Sequence, residues 1–358
     1  MPLMHRVKSA LVGRVMAKMP LERLLPRVEA GPGAARQVGA RARELGIARA
    51  LVVTDEVLLK IGVVEPVLAA LREEGIEVAI FSGVQPDPAI EQVLLGAKIF
   101  QANDCDGIVA VGGGSSIDCA KIVGAYVRDP RPIGELAGAA KLRKRIPPLI
   151  AVATTHGTGS ETTYAAVITA PAEQRKFSIA DPKIMPKVAV LDPELVVGLP
   201  KAISAATGMD ALTHAVEAYL SPWSTPSARA RAESAVVEVM ASILTSYERG
   251  DDLGAREAML RASFNAGAAI NIGGVGYVHA IAHAIGGQFH TPHGDANAML
   301  LPLVLEFYGP AAYPQLAVLA RRCAIGGPAD SEAKLARAFI QRVKDLHAAM
   351  AMPTHIPD

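Results

Sequence analysis

Residues 107–121 read GIVAVGGGSSIDCAK, and this stretch decides the fold. An apolar run leads into three consecutive glycines, which are followed by Ser115 and a helical pattern. Glycines let the backbone approach an anion closely, and the N-terminus of the next helix offers free N–H groups. The stretch therefore predicts a phosphate group bound at Gly113, Gly114 and Ser115. The alternative is a tight connection in which Ser115 only caps the helix, since the G-x-G-x-x-G spacing is absent.

Short apolar runs typical of strands lie on both sides of this turn. They cover 50–53, 78–81, 107–111, 149–153 and 188–191, and helix-period segments occupy 56–74 and 88–101. Strands that alternate with helices of this length predict a Rossmann-like parallel sheet with both faces covered. Two further runs, 166–170 and 177–180, predict a hairpin. The fold class is therefore α/β in this part of the chain.

After Pro200 the pattern changes to long, alanine-rich helices. The helical segments are 204–220, 226–248, 254–272, 276–288 and 332–350. The Gly198-Leu199-Pro200 step marks the junction, because glycine and proline interrupt regular structure. The sequence predicts an N-terminal arm at 1–30, a dinucleotide-binding α/β domain at 31–200 and an all-α metal-binding domain at 201–358. A cleft between two domains is the usual place for a site.

Composition limits the class of protein. The chain has 358 residues and a formal net charge of +1, so nucleic acid is not expected as a partner. No apolar run reaches the roughly 18 residues of a membrane span, so no transmembrane segment is expected. Three widely spaced cysteines predict a reducing, cytoplasmic compartment. The basic segment at 1–20 is expected to pack on its own protein or on an oligomer mate, with membrane-surface binding as the alternative.

Two polar segments also follow predicted strands. Residues 154–161 read TTHGTGSE, and the hydroxyls and glycines of Thr154, Thr155 and Thr158 suit a phosphate or a ribose, although an ordinary loop is equally compatible. Asp55 comes shortly after the first predicted strand, where a carboxylate can bind a ribose hydroxyl of the adenosine half. A helix N-cap is the equally good alternative for Asp55.

Histidines and carboxylates cluster in the helical part. Asp210 and His214 are four residues apart, which puts both on one helix face, and His279 and His283 repeat that spacing. His293 follows at a predicted turn. Carboxylate and imidazole ligands suit Zn²⁺ or Fe²⁺. The alternative is that each histidine is only a packed or surface residue, and Glu217 is interpreted as a supporting or structural residue.

At these segments the chain resembles the iron-containing (group III) alcohol dehydrogenase family, whose architecture is similar to that of dehydroquinate synthase. The resemblance spans roughly 51–303. The shared patterns are Gly112-Gly113-Gly114-Ser115, Thr154-Thr155-x-Gly157-Thr158, Gly208-Met209-Asp210-Ala211-Leu212-Thr213-His214-Ala215 and the stretch 276–294.

The resemblance implies roles for individual residues. The implied metal ligands are Asp210, His214, His279 and His293, which would bind Fe²⁺ or, alternatively, Zn²⁺. His283 would lie beside the substrate, and we expect it to relay a proton, because histidine ordinarily titrates near neutrality. The implied contacts to NAD are Asp55, Gly114, Ser115, Thr154, Thr155, Thr163, Lys176, Leu195 and Gly198.

Two positions depart from the family pattern. Asp87 stands where many members have Asn, so its contact to the adenosine side of the cofactor is altered. His156 stands where a small residue is usual, and its ring either narrows the nicotinamide end or turns outward.

The implied activity is hydride transfer between NAD and a small primary alcohol or aldehyde. We expect NAD rather than NADP, because Asp55 would repel the 2′-phosphate. A homodimer or higher homo-oligomer is expected. One alternative is a zinc-dependent glycerol or polyol dehydrogenase of the same superfamily. An alternative from another class is a metallohydrolase, which would leave without a role both the glycine turn, residues 112–115, and the threonine turn, residues 154–158.

Overall fold

The computed structural model describes residues 23–171, 175–289 and 291–355. The chain divides into two compact units, one of residues 25–199 and one formed from Pro200 onward together with the described residues before Leu25. The basic segment at 1–20 and His290 lie outside the described residues. The division falls at the Gly198-Leu199-Pro200 step.

The first unit is built on a six-stranded sheet in which every neighbouring pair is parallel, as predicted. The strand order is β1-β9-β6-β4-β2-β3. The strands of this unit are β1 Arg27–Ala30, β2 Arg49–Val53, β3 Glu77–Phe81, β4 Gly107–Gly112, β5 Gly138–Ala139, β6 Leu149–Ala153, β7 Ala165–Ala170, β8 Arg175–Ala180 and β9 Val188–Leu191. The predicted hairpin is also present, because β7 and β8 pair antiparallel.

Helices cover both faces of the sheet. They are α1 Val38–Glu44, α2 Glu56–Lys60, α3 Glu65–Glu73, α4 Ile90–Ala102 and α5 Gly114–Arg128. Alternate residues of β2 and β4 enter two separate apolar clusters, one containing Leu51 and Ile108 and the other Val52 and Val109. A strand buried on both faces reads as a continuous apolar run, which is why the sequence identified these strands.

The second unit is helical in its described part. Its helices are α6 Lys201–Leu220, α7 Pro226–Glu248, α8 Leu253–Gly273, α9 Tyr277–Phe289, α10 His293–Tyr308, α11 Tyr313–Arg322 and α12 Glu332–Ala349. One apolar cluster joins them. Among the described residues no single helix meets the length and apolarity of a membrane span, although α8 and α9, bent by 101°, pass when taken together.

Several elements differ from the predictions. Residues of the predicted arm, Arg27–Ala30, form the edge strand β1, whose polar sequence gave no strand signal. The predicted helix at 56–74 is interrupted, because Gly62 adopts a φ of +83° between α2 and α3. Helix α10 was not predicted, since Pro302 lies inside it. His293 consequently begins a helix instead of lying in a turn.

Candidate functional site

Three potential metal ligands converge inside the helical unit. Asp210 on α6, His279 on α9 and His293 at the start of α10 each offer one atom, and these atoms all lie within 4.8 Å of one another. Asp210 Oδ1 lies 3.6 Å from both His279 Nε2 and His293 Nε2. Two atoms that are each about 2.1 Å from one ion in tetrahedral geometry lie about 3.4 Å apart. The three side chains therefore fit a single divalent ion.

Glu217 fixes the orientation of His279. Its Oε2 lies 2.6 Å from His279 Nδ1, and the backbone N–H groups of Gly276 and Val278 donate to the same carboxylate. A carboxylate at Nδ1 keeps the proton on that nitrogen and leaves Nε2 as the ligand atom. Glu217 thus contacts His279 directly, as its interpretation as a supporting or structural residue requires.

The electrostatics of this cluster favour a cation. Burial alone would raise the pKa of Asp210, but His214, His293 and His279 outweigh it and hold the pKa well below its usual range. Burial alone would lower the pKa of His279, but the carboxylates of Asp210 and Glu217 raise it to about 9. Carboxylates that stabilise a positive charge on His279 would also stabilise a divalent ion at the same place.

Asn297 belongs to the cluster, and the sequence analysis missed it. Its Nδ2 donates to Asp210 Oδ1 at 2.7 Å and lies 3.2 Å from His279 Nε2 and 3.1 Å from His293 Nε2. The side chain is fully buried, and its Oδ1 has no hydrogen-bond partner among the described residues. The available signal was spacing, because Asn297 follows His293 by one helical turn and shares its face.

The other two histidines of the sequence prediction lie beside these three. The His214 ring stacks on the His279 ring at 4.4 Å between centroids, and His214 Nδ1 lies 4.0 Å from Asp210 Oδ1. His214 therefore lies directly beside the three converging side chains. The exposed ring of His283 lies 5.0 Å from the ring of His293.

In the α/β unit the glycine turn packs directly against the threonine turn. A Cβ on Gly113 would lie 3.1 Å from Thr155, and a Cβ on Gly114 would lie 3.0 Å from Thr158. The backbone N–H of Thr154 also donates to the carbonyl of Gly112 at 3.1 Å. Glycine at both positions therefore lets the two turns pack this closely. The two segments thus form one cradle at the carboxyl ends of β4 and β6, where ligands of such sheets bind.

Helix α5 begins from this cradle, but Ser115 does not cap it. The N-cap is Gly113, which makes no side-chain capping hydrogen bond, and Ser115 lies inside the first turn. The alternative role of Ser115 as the helix cap is therefore wrong. Asp55, by contrast, does cap α2, because its Oδ1 accepts a hydrogen bond of 2.9 Å from the Leu58 N–H.

The remaining predicted cofactor contacts are distributed around this end of the sheet. Lys176 Nζ forms an ion pair with Asp87 Oδ2 at 2.7 Å, and Thr163 Oγ1 accepts a hydrogen bond from Lys121. Leu195 lies in the short helix Pro193–Val196, two residues before the Val197-Gly198 step. His156 is fully buried, so its ring does not turn outward to solvent.

Sequence comparison identifies the family to which this arrangement belongs. The profile of the family "Iron-containing alcohol dehydrogenase" matches residues 26–193, and that of "Fe-containing alcohol dehydrogenase family, C-terminal" matches residues 204–358. The chain belongs to the iron-containing alcohol dehydrogenase family. The protein is accordingly an oxidoreductase that acts on CH–OH groups. This assignment excludes the metallohydrolase alternative.

Relatives within the iron-containing alcohol dehydrogenase family cover most of the chain. The NAD-dependent methanol dehydrogenase of Bacillus methanolicus is 43% identical over 77% of this chain and 73% of its own length. The 1,3-propanediol dehydrogenase of Klebsiella pneumoniae is 42% identical over 94% of this chain and 87% of its own. A crystal structure of 1,3-propanediol oxidoreductase superposes with a TM-score of 0.90 and 41% identity over 92% of this chain and 87% of that one.

Proposed function

We propose that the protein oxidises small primary alcohols with NAD, and reduces the corresponding aldehydes, at a divalent metal ion held by Asp210, His214, His279 and His293. The observation that carries the proposal is the convergence of Asp210 Oδ1 with His279 Nε2 and His293 Nε2. Further support comes from a relative named as an NAD-dependent methanol dehydrogenase. A glycerol or polyol dehydrogenase of the same superfamily is the alternative that a substrate screen would reveal.

The chemistry follows from the donor set. A bound divalent ion would act as a Lewis acid that favours deprotonation of an alcohol and polarises an aldehyde carbonyl, and NAD would accept or return the hydride. Asp210 remains ionised at neutral pH, because its pKa lies far below the usual range. Glu217 keeps the His279 ring turned so that Nε2 faces Asp210. These residues hold the ligand geometry before substrate arrives.

His283 is the residue proposed to move the proton. It lies one turn after His279 on α9, and its ring is exposed to solvent while remaining 5.0 Å from the His293 ring. A side chain in contact with both water and the ligand cluster can pass a proton between them. We therefore assign His283 to proton relay and not to metal binding.

The cofactor is proposed to bind with its phosphates at the glycine–threonine cradle. Gly113, Gly114 and Ser115 would present backbone N–H groups at the start of α5. Thr154, Thr155 and Thr158 would contact the phosphates or the ribose from the opposite side. The family pattern also assigns to this cofactor site Asp55, Asp87, Thr163, Lys176, Leu195 and Gly198. The Asp55 carboxylate is expected to favour NAD over NADP.

The identity of the metal, the assembly and the compartment are further proposals. Fe²⁺ is the expected ion because of the family, and Zn²⁺ is the alternative, because nitrogen and oxygen ligands suit both. Cys105, Cys119 and Cys323 are all free thiols, which supports a reducing, cytoplasmic compartment. A homodimer or larger homo-oligomer is expected and would be measured by light scattering.

The direct experiment combines a substrate screen with metal analysis. Primary alcohols of increasing chain length, 1,3-propanediol and glycerol would each be supplied with NAD, to protein loaded separately with Fe²⁺ and Zn²⁺. We expect the highest kcat/KM with a small primary alcohol. A clear preference for glycerol would favour the polyol dehydrogenase alternative, and turnover that is independent of metal would contradict the proposal.

A further inference from the structure

Lys121 is a charged side chain with no exposed surface, buried inside the α/β unit. Its ammonium donates to Ser160 Oγ at 3.0 Å, to Thr163 Oγ1 at 3.1 Å and to the Ala165 carbonyl at 2.6 Å. A lysine ammonium has three N–H donors, so each has an acceptor here. Burying an ammonium is costly unless all of its donors are satisfied and a counter-charge is near.

The nearest counter-charge is Asp118, which precedes Lys121 by one turn of α5. Asp118 Oδ1 lies 3.6 Å from Lys121 Nζ and accepts a hydrogen bond from Ser160 Oγ. Its Oδ2 accepts a hydrogen bond of 2.8 Å from the Val167 N–H. Asp118, Lys121, Ser160 and Thr163 thus form one hydrogen-bonded network, which we call the Lys121 cluster.

The Lys121 cluster joins three segments of the cofactor-binding end. Asp118 and Lys121 belong to α5, which begins at the glycine turn. Ser160 and Thr163 directly follow the threonine turn, and the Ala165 carbonyl begins β7. Lys121 lies about 10 Å along α5 from Gly114, at about 1.5 Å per residue. The cluster therefore ties the helix behind one half of the cradle to the loop that forms the other half.

This connection matters because the glycine turn and the threonine turn are closely packed against each other. A Cβ on Gly113 or Gly114 would already lie within 3.1 Å of Thr155 or Thr158, so small shifts of the threonine turn change the space above the glycines. Dinucleotide binding at such a turn depends on backbone N–H groups whose positions are set by the surrounding structure. Loss of a link that fixes the relative position of the two turns should therefore weaken cofactor binding.

We propose that Lys121 is a positioning residue for the dinucleotide, and that Thr163 acts on cofactor binding through Lys121 instead of touching the cofactor. The Thr163 hydroxyl is buried, accepts from Lys121, and lies 3.3 Å from the Ala165 carbonyl to which it donates. It is thereby engaged as both acceptor and donor within the protein. This inference rests on the proposed use of NAD.

The test compares NADH affinity and stability in matched variants. Thr163→Val removes the acceptor of Lys121, Thr163→Ser keeps it, and Lys121→Met removes the ammonium. The control is Val123→Ala, because Val123 is fully buried in the same helix but faces Gly96 on α4. NADH dissociation constants would be measured by fluorescence titration, melting temperatures by calorimetry, and KM separately for NAD and for the alcohol.

We expect Thr163→Val and Lys121→Met each to raise the dissociation constant roughly tenfold, the scale of one lost hydrogen bond to a charged group. KM for NAD should rise with it, while KM for the alcohol and the metal content stay unchanged. Thr163→Ser should bind NADH within about twofold of the unmodified protein, as should Val123→Ala despite a lower melting temperature. The double variant Thr163→Val/Lys121→Met should bind NADH no more weakly than the weaker-binding of the two single variants, because both changes break the same network.

Three results would overturn the inference. One is that Thr163→Val binds NADH as tightly as the unmodified protein. Thr163→Val preserves the volume of the side chain, so this comparison remains possible even if Lys121→Met fails to fold. The second is a loss of affinity in Val123→Ala equal to that in the cluster variants, which would indicate general destabilisation. The third is additivity of the two single effects, which would indicate an independent contact of Thr163 with the cofactor. Failure of the unmodified protein to bind NADH would instead contradict the proposed function.

Discussion

The candidate metal-ligand cluster and the proposed cofactor cradle are built in different ways. In the helical unit, side chains on three helices converge, and spacing along α6 and α9 already places Asp210, His214, His279 and His283 on shared faces. In the α/β unit, the glycine side of the cradle is formed by backbone. Side chains behind the cradle act mainly by holding the glycine turn and the threonine turn together. Changes in the first region should therefore alter chemistry and metal affinity, whereas changes in the second should alter cofactor affinity and stability.

The largest difference between loss of turnover and loss of metal is expected for His283→Ala, because His283 is proposed to relay a proton and not to bind the metal. Turnover should fall on the order of 10²–10⁴-fold, the range typical of lost acid–base assistance, while metal content stays near that of the unmodified protein. Turnover and metal content per chain would be measured on the same preparation. Loss of the metal together with turnover would show that His283 is a ligand.

The α/β unit also buries the carboxyl group of Glu161, and the charge state of this group should affect the stability of the protein. The Glu161 side chain is 1% exposed, and its Oε1 has no hydrogen-bond partner among the described residues. Burial raises the pKa of Glu161 from 4.5 to about 7, although a backbone hydrogen bond and Lys121 oppose the shift. Because the folded-state pKa is raised, the stability contribution is complete below pH 4.5 and is lost as pH rises to about 7.

Glu161→Gln should therefore stabilise the protein at neutral and alkaline pH only. The free energy of unfolding should rise by up to roughly 3 kcal/mol at pH 8, which corresponds to about 1.4 kcal/mol per pKa unit, and should barely change at pH 4.5. Urea denaturation at both pH values would measure the difference, with the exposed Glu135→Gln as control. An equal change at both pH values would contradict the assigned pKa.

A smaller effect is expected behind the ligands, at Glu217. Glu217→Gln keeps the shape of the side chain but removes the charge that holds the proton on His279 Nδ1. Metal affinity should fall roughly 10–100-fold, the range typical of residues that support a metal-bound histidine. Titration of metal-stripped protein with Co²⁺ would report the affinity, and NADH affinity should be unchanged. An unaltered Co²⁺ affinity would contradict a role of Glu217 in supporting the metal site.

The smallest effect is expected at Asp55, where the structure supplies a cleaner variant than removal of the side chain. Asp55→Asn keeps an oxygen that can cap α2 through the Leu58 N–H but removes the charge. The kcat/KM ratio of NADP to NAD should rise about tenfold, because the repulsion of the 2′-phosphate is gone. If the ratio stays constant in Asp55→Asn, Asp55 is only a helix cap.

The same contrast explains what the sequence could predict. Asp210, His214, His279 and His283 were recognisable because helical periodicity converts spacing into proximity. Asn297 was missed although it follows His293 by one turn, because the predicted turn around His293 hid the helix that relates the two residues. The convergence of α6, α9 and α10 is a tertiary property that no local pattern contains.

In the α/β unit the strands were predictable, but the network behind the cradle was not. The buried strands stand out as continuous apolar runs, whereas the polar edge strand β1 resembles a loop in sequence. Lys121 and Asp118 look like ordinary polar residues of a helix. Their burial follows from the packing of residues 160–165 against α5, a contact between segments about forty residues apart.

The central claim is that Asp210, His279 and His293 hold the ion on which alcohol oxidation depends. The most direct test measures metal content and NAD-linked alcohol oxidation together in His279→Ala, with the exposed His355→Ala as control. We expect His279→Ala to lose most of its metal and to oxidise alcohol roughly 10³-fold more slowly, while its NADH affinity and the control protein stay unchanged. A His279→Ala protein that retains both its full metal content and its full turnover would contradict the account.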